Sequence, residues 1–113
     1  MTKEQFLKNL LPPEGNVDVV LDTDTYNEVD DQFAIAYMLN SPELNPVAIY
    51  AAPFFNDKST GPEDGMEKSY NEIFHILKLA GRTDMNDKVY KGAREYLKDE
   101  KTPTVSPAAE HLC

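Results

Sequence analysis

At 113 residues and 41% apolar composition, the chain is long enough for one domain with a modest core. A formal charge of −9 with no basic patch excludes nucleic-acid backbones and anionic membranes as partners, because nothing in it would displace counterions from phosphates. Cys113 is the only cysteine and the last residue, which excludes an internal disulfide or a cysteine metal site and fits a reducing cytoplasm.

Residues 1–13 read as an N-terminal helix and turn. Thr2-Lys3-Glu4-Gln5 has the form of a capping box, Phe6, Leu7, Leu10 and Leu11 supply the apolar positions, and Pro12-Pro13 ends the element. The expectation for residues 2–11 is a short helix lying on the chain's own domain, with an oligomer contact through Phe6 and Leu10 as the alternative. Lys3, Glu4, Lys8 and Asn9 interrupt the apolar run, so it is not a signal peptide, and no run in the chain approaches transmembrane length. A soluble, cytoplasmic protein is expected.

Val17, Val19, Val20 and Leu21 predict a buried strand over residues 17–22. Phe33, Ala34, Ala36, Tyr37 and Met38 keep helical spacing over residues 31–40 until Asn40-Ser41-Pro42 stops them. A second apolar run, Pro46 to Ala52, predicts another strand. Strand, helix and strand in this order make a βαβ unit with parallel strands, so both strands end at the same edge. That edge would bring Phe54, Phe55, Asn56 and Asp57 alongside Asp24 and Asp31; the two phenylalanines could wall a pocket there or plug the core.

Residues 57–65, DKSTGPEDG, read as a loop with Glu63 and Asp64 as solvated charges. Met66, Tyr70, Ile73, Phe74, Leu77 and Ala80 mark one helix face, closed by Gly81. His75 lies on that helix with no partner for a general base and reads as structural. Residues 88–91 predict a third short strand, Gly92-Ala93 a turn, and residues 98–103 a flexible charged tract. Ser106 and Pro107 open a last helix that the chain leaves unfinished, so residues 1–113 read as a single partial domain.

The chemistry is concentrated in residues 22–31. Asp22, Asp24, Asp30 and Asp31, with Glu28, fall between a strand's carboxyl end and a helix's amino end, the edge where open α/β sheets bind ligands. Carboxylates so close repel one another, and a divalent cation removes the conflict. With no cysteine or histidine among them they offer hard oxygen ligands, which suit calcium or magnesium better than zinc. The plainer alternative is that Asp30 and Asp31 favour the helix dipole while Asp22 and Asp24 are solvated loop residues.

At these residues the chain resembles the inosine/uridine-preferring nucleoside hydrolases, whose N-terminal signature is Asp-x-Asp-Pro-Gly-x-Asp-Asp after a buried strand. Here the motif stands as Asp22-Thr23-Asp24-Thr25-Tyr26-Asn27-Glu28-Val29-Asp30-Asp31, two residues longer and without the Pro-Gly. Asn56, Leu79-Ala80-Gly81-Arg82, Val89-Tyr90-Lys91-Gly92-Ala93 and Ala108-Ala109-Glu110-His111 follow in the family's order, so the resemblance spans roughly residues 16–113.

The resemblance implies an α/β, Rossmann-like parallel sheet with flanking helices, the N-terminal portion of a nucleoside-hydrolase-type domain. It implies calcium-dependent hydrolysis of the N-glycosidic bond of a small-molecule nucleoside. Asp24 would be a metal ligand and the base that activates water, Asp31 a second ligand, and Asp22 a support of the metal shell. Asp30 and Asn56 would hold ribose hydroxyls, and Asn27 and Glu28 of the longer loop could take over a ligand or ribose contact.

The family draws a further metal carboxylate and a leaving-group acid from sequence farther downstream, so this chain alone is expected to be incomplete and inactive, and a homo-oligomer is an expectation only for the full-length protein. Two alternatives stand beside this. A strand ending in Asp-x-Asp also resembles the haloacid-dehalogenase phosphatases, with Asp22 as nucleophile and Asp24 as acid, although Tyr26 stands where that signature has Thr or Val. The other is a non-catalytic divalent-cation-binding remnant; an EF-hand loop is excluded by Tyr26, Asn27 and Phe33 at its ligand, glycine and glutamate positions.

Overall fold

A computed structural model describes residues 1–113. The elements follow in the order α1 (Lys3–Asn9), β1 (Val17–Thr23), α2 (Val29–Asn40), β2 (Leu44–Ala51), α3 (Pro62–Leu79), a 3-10 turn (Thr83–Lys88), β3 (Val89–Lys91) and α4 (Pro107–Leu112). The strands form one parallel sheet of order β1-β2-β3, so the chain is an α/β fold compatible with a Rossmann-like arrangement.

β1 and β2 pair from Val17↔Leu44 to Thr23↔Ala51, with a register shift between Val19, opposite Pro46, and Val20, opposite Ala48. The irregularity sits at the proline because Pro46 has no N–H to give to the ladder, and Val47 is left as the extra residue. Ala52 N–H then donates to the Thr23 carbonyl at 2.8 Å, holding the two strand exits side by side.

The core lies on one face of the sheet. Ile35 and Met38 of α2 and Met66, Ile73 and Leu77 of α3 meet Ile49, Ala51 and Val89 from the strands, with Val19 and Leu21 of β1 packed at the margin. On the other face only α4 makes a cover: Ala108 packs with Ala48 and Tyr50. β1 therefore alternates, Val19, Leu21 and Thr23 inward and Asp18, Val20 and Asp22 outward. This corrects the sequence-based expectation of a strand buried on both faces, since no helix covers β1 on the far side.

Two other expectations change. α1 does not lie on the domain: Thr2 caps it, its Oγ1 accepting from Gln5 N–H at 3.1 Å, but the helix buries no residue. α3 starts at Pro62 and not at Met66, so the loop ends at Gly61. Pro62 occupies the first turn, where its missing N–H costs nothing, and Glu63 and Asp64 there complement the helix dipole. Gly65 lies inside the helix because a Cβ at that position would stand 2.0 Å from the Phe54 carbonyl oxygen.

The end of α3 is as expected. Gly81, at φ +67°, takes the left-handed position, Arg82 N–H donates to the Leu77 carbonyl at 2.8 Å and Gly81 N–H to the Lys78 carbonyl at 3.2 Å, a Schellman cap. Ser106 caps α4, accepting from Ala109 N–H at 3.2 Å. No helix is long and apolar enough to cross a membrane.

Candidate functional site

The parallel strands deliver their exits to one edge, and the loop from Asp24 to Glu28 crosses it into α2. Thr23 and Thr25, both buried, bond to each other through their hydroxyls at 2.9 Å and pin the start of the loop inward. Tyr26 N–H donates to Ser69 Oγ of α3 at 3.4 Å. Asn27 closes a turn, its N–H on the Asp24 carbonyl at 2.7 Å, while its side-chain amide donates to Asp24 Oδ2 at 2.8 Å. One acidic side chain is thus held by the loop's own geometry.

A second loop, after β2, is fastened to the first. Asn56 Nδ2 donates to Asn27 Oδ1 at 2.5 Å, and Lys58 Nζ donates to the Asn27 carbonyl. Asn56 is itself set by Lys58 N–H donating to its Oδ1 at 2.9 Å and by its own N–H donating to Ser59 Oγ at 3.3 Å. Ser59 Oγ donates in turn to the Phe54 carbonyl at 3.1 Å. Asp24, Asn27 and Asn56 form a continuous chain of side-chain hydrogen bonds across the edge. Phe54 is buried and plugs the core, whereas Phe55 is exposed, which decides between the two uses expected for them.

Asp31, in the first turn of α2, joins Asp24 from the helix side. Its carboxyl is pushed up to about 6, first by burial and then by a hydrogen bond shared with Asp24, against the opposing help of the Thr23 hydroxyl; the charges of Asp24 and Asp30 add to the rise. Asp22 is also raised, by burial first and by the Asp24 charge second. These three carboxylates are electrostatically coupled at one edge, and two of them resist ionising.

The remaining residues expected at the site are less engaged. Asp30 is exposed and acts on Asp31 only through its charge. Glu28 is the N-cap residue of α2 but makes no capping hydrogen bond; it is exposed and borders a shallow depression with Tyr26, Gln32, Lys58 and Glu72. Asp22 points to the far face of the sheet, where it lines a cavity of about 370 Å³ with Tyr50, Pro53, Tyr96 and Leu97. His75 is exposed and reaches only Glu72, at 3.5 Å, as expected of a surface helix residue.

No three Asp, Glu, His or Cys side chains converge closely enough to form a cage by themselves. The chemistry of the donors nevertheless fits a divalent cation: Asp24 and Asp31 offer only oxygen, and the Asp24 charge beside Asp31 favours a positive partner there.

Two features were not read from the sequence. Lys58, in the loop after β2, ties the two edge loops together. Tyr50 Oη and His111 Nδ1 are hydrogen-bonded at 2.7 Å, with the His111 ring stacked on Tyr90 at 4.1 Å between centroids. Only the Asn27-to-Asn56 spacing, with both residues at strand exits of one βαβ unit, could have signalled the first; nothing local signals the second. Compared with known proteins, the chain matches no family model, no curated protein and no solved structure.

Proposed function

We propose that this edge is the cation- and ribose-binding part of a nucleosidase, a hydrolase of the N-glycosidic bond between a sugar and a base. The observation that carries the reading is the Asp24–Asn27–Asn56 chain of side-chain hydrogen bonds at a parallel sheet's carboxyl edge, a carboxylate aimed by amides of the kind that binds hydroxyls, with Asp31 in the first turn of the helix that follows.

Asp24 and Asp31 would hold the divalent cation, calcium in preference to magnesium, which would supply positive charge that acidifies a water, while Asp22, on the far face of the sheet, would act on them only through its charge. Asp24 takes the proton of the attacking water on a carboxylate oxygen, and Asn27 keeps that carboxylate aimed by donating to Oδ2. The bond from the sugar's anomeric carbon to oxygen forms as its bond to the base nitrogen breaks, and the base leaves with the electron pair. Positive charge developing on the sugar is stabilised by the carboxylates around it. Asp30 and the amides of Asn56 and Asn27 would orient the hydroxyls, and Glu28 of the longer loop would take a further one.

The test is release of reducing sugar from inosine and uridine by the full protein, with calcium and with a chelator. The reading requires sugar release that the chelator abolishes. Turnover indifferent to the chelator overturns the metal assignment, phosphate release from a simple monoester in place of sugar release supports the phosphatase alternative, and calcium binding without turnover leaves a binding module.

A further inference from the structure

α1 is a helix that its own chain does not support. Isolated helices shorter than about 12–15 residues are marginal in water, yet α1 has 7 residues and buries none of them. Phe6, Leu7, Leu10 and Leu11 all stand exposed. Pro12-Pro13 holds the connection to β1 extended, and the radius of gyration is 15.8 Å where a compact chain of this length has about 13 Å.

A matching surface lies on α2. Ile35 and Met38 turn into the core, and on the opposite side Val29, Phe33 and Tyr37 follow one another at i, i+4 and i+8, 63%, 70% and 76% exposed. α2 is apolar on both sides, the pattern of a helix covered all round, and nothing in the chain covers this stripe.

We propose that α1 of one copy packs on the Val29-Phe33-Tyr37 face of α2 in a second copy, and reciprocally, to make a symmetric dimer. Charge supports this occupant: α1 has Lys3 and Lys8 against Glu4, while the exposed side of α2 has Asp30 and no basic residue. Antiparallel packing sets Lys8, in the last turn of α1, beside the acidic first turn of α2 and opposes the helix dipoles. Area supports it as well. The apolar side chains named, at about 100 Å² each, cover about 700 Å² per docking and roughly twice that for the symmetric pair, within the roughly 1,200–2,000 Å² of stable interfaces.

Sedimentation velocity of the full chain over a concentration series tests it, with two doubly substituted variants, Phe6→Asp with Leu10→Asp on α1 and Phe33→Asp with Tyr37→Asp on α2. All four positions are exposed, so the bodies fold, and circular dichroism checks that they do. The wild-type chain dimerises, and each variant raises the dissociation constant at least about 100-fold. A wild-type chain that stays monomeric overturns the proposal, as does a dimer that survives either the α1 or the α2 substitutions.

Discussion

Asp31→Asn separates stability from function at the proposed site. Asp31 holds its proton to about pH 6 in the folded chain but releases it near its ordinary 3.8 when unfolded. Between those values the folded state binds more protons, so stability falls as pH rises through about 4 to 6, and above 6 the full cost is carried. At full strength the rise corresponds to about 3 kcal/mol. Asp31 is partly exposed, and solvent screening reduces this to about 1 kcal/mol. Asn carries no charge at any pH and can still accept from Thr23.

The variant is therefore expected to be about 1 kcal/mol more stable than wild type near neutral pH, with the difference closing toward pH 4. Urea unfolding of both proteins over that range measures it. Calcium should reverse the order by stabilising wild type and leaving the variant unmoved. A variant that is less stable at neutral pH, or a difference that does not change with pH, refutes the like-charge account of Asp31.

Other perturbations test other links. Asn27→Ala removes the donor on Asp24 Oδ2 and the tie to Asn56, and calorimetry should show calcium affinity reduced by about tenfold or more. Gly65→Ala forces a Cβ onto the Phe54 carbonyl, 2.0 Å away, and is expected to cost about 2 kcal/mol or more in urea unfolding, because backbone faces it. Gly81→Ala, at φ +67°, meets no neighbour and should cost only about 1 kcal/mol, the backbone strain alone.

Much of this fold is visible in local patterns. β1, α2 and β2 follow from apolar period and stop signals, and Gly81 announces the end of α3. The start of α3 is hidden because Pro62-Glu63-Asp64-Gly65 has a loop's composition, although a proline followed by two acids is also how helices begin. Gly65 looks like a turn glycine until Phe54 is seen above it. The acidic edge is legible as composition: residues 22–31 announce carboxylates between strand and helix. Its wiring is not, since Asn27, Asn56 and Lys58 are brought together from separate loops, and no period in the sequence reports a hydrogen bond between side chains 29 residues apart. The detachment of α1 is equally invisible, because an amphipathic pattern states that a face needs cover without stating whose.

β1 stands at the border of the sheet, so the backbone groups of its outer side are free to pair with another strand. Its sequence, Val17-Asp18-Val19-Val20-Leu21-Asp22, is rich in β-branched residues and would be a template for intermolecular strand addition were it not for the two aspartates on its open face. Like charges brought together by such pairing repel, which makes Asp18 and Asp22 gatekeepers against aggregation. Asp22 is also a carboxylate that resists ionisation, so it gives up its charge early on acidification. Mild acid thus relieves the crowded carboxylates within one molecule and, by the same protonation, lowers the barrier to fibre-like assembly between molecules.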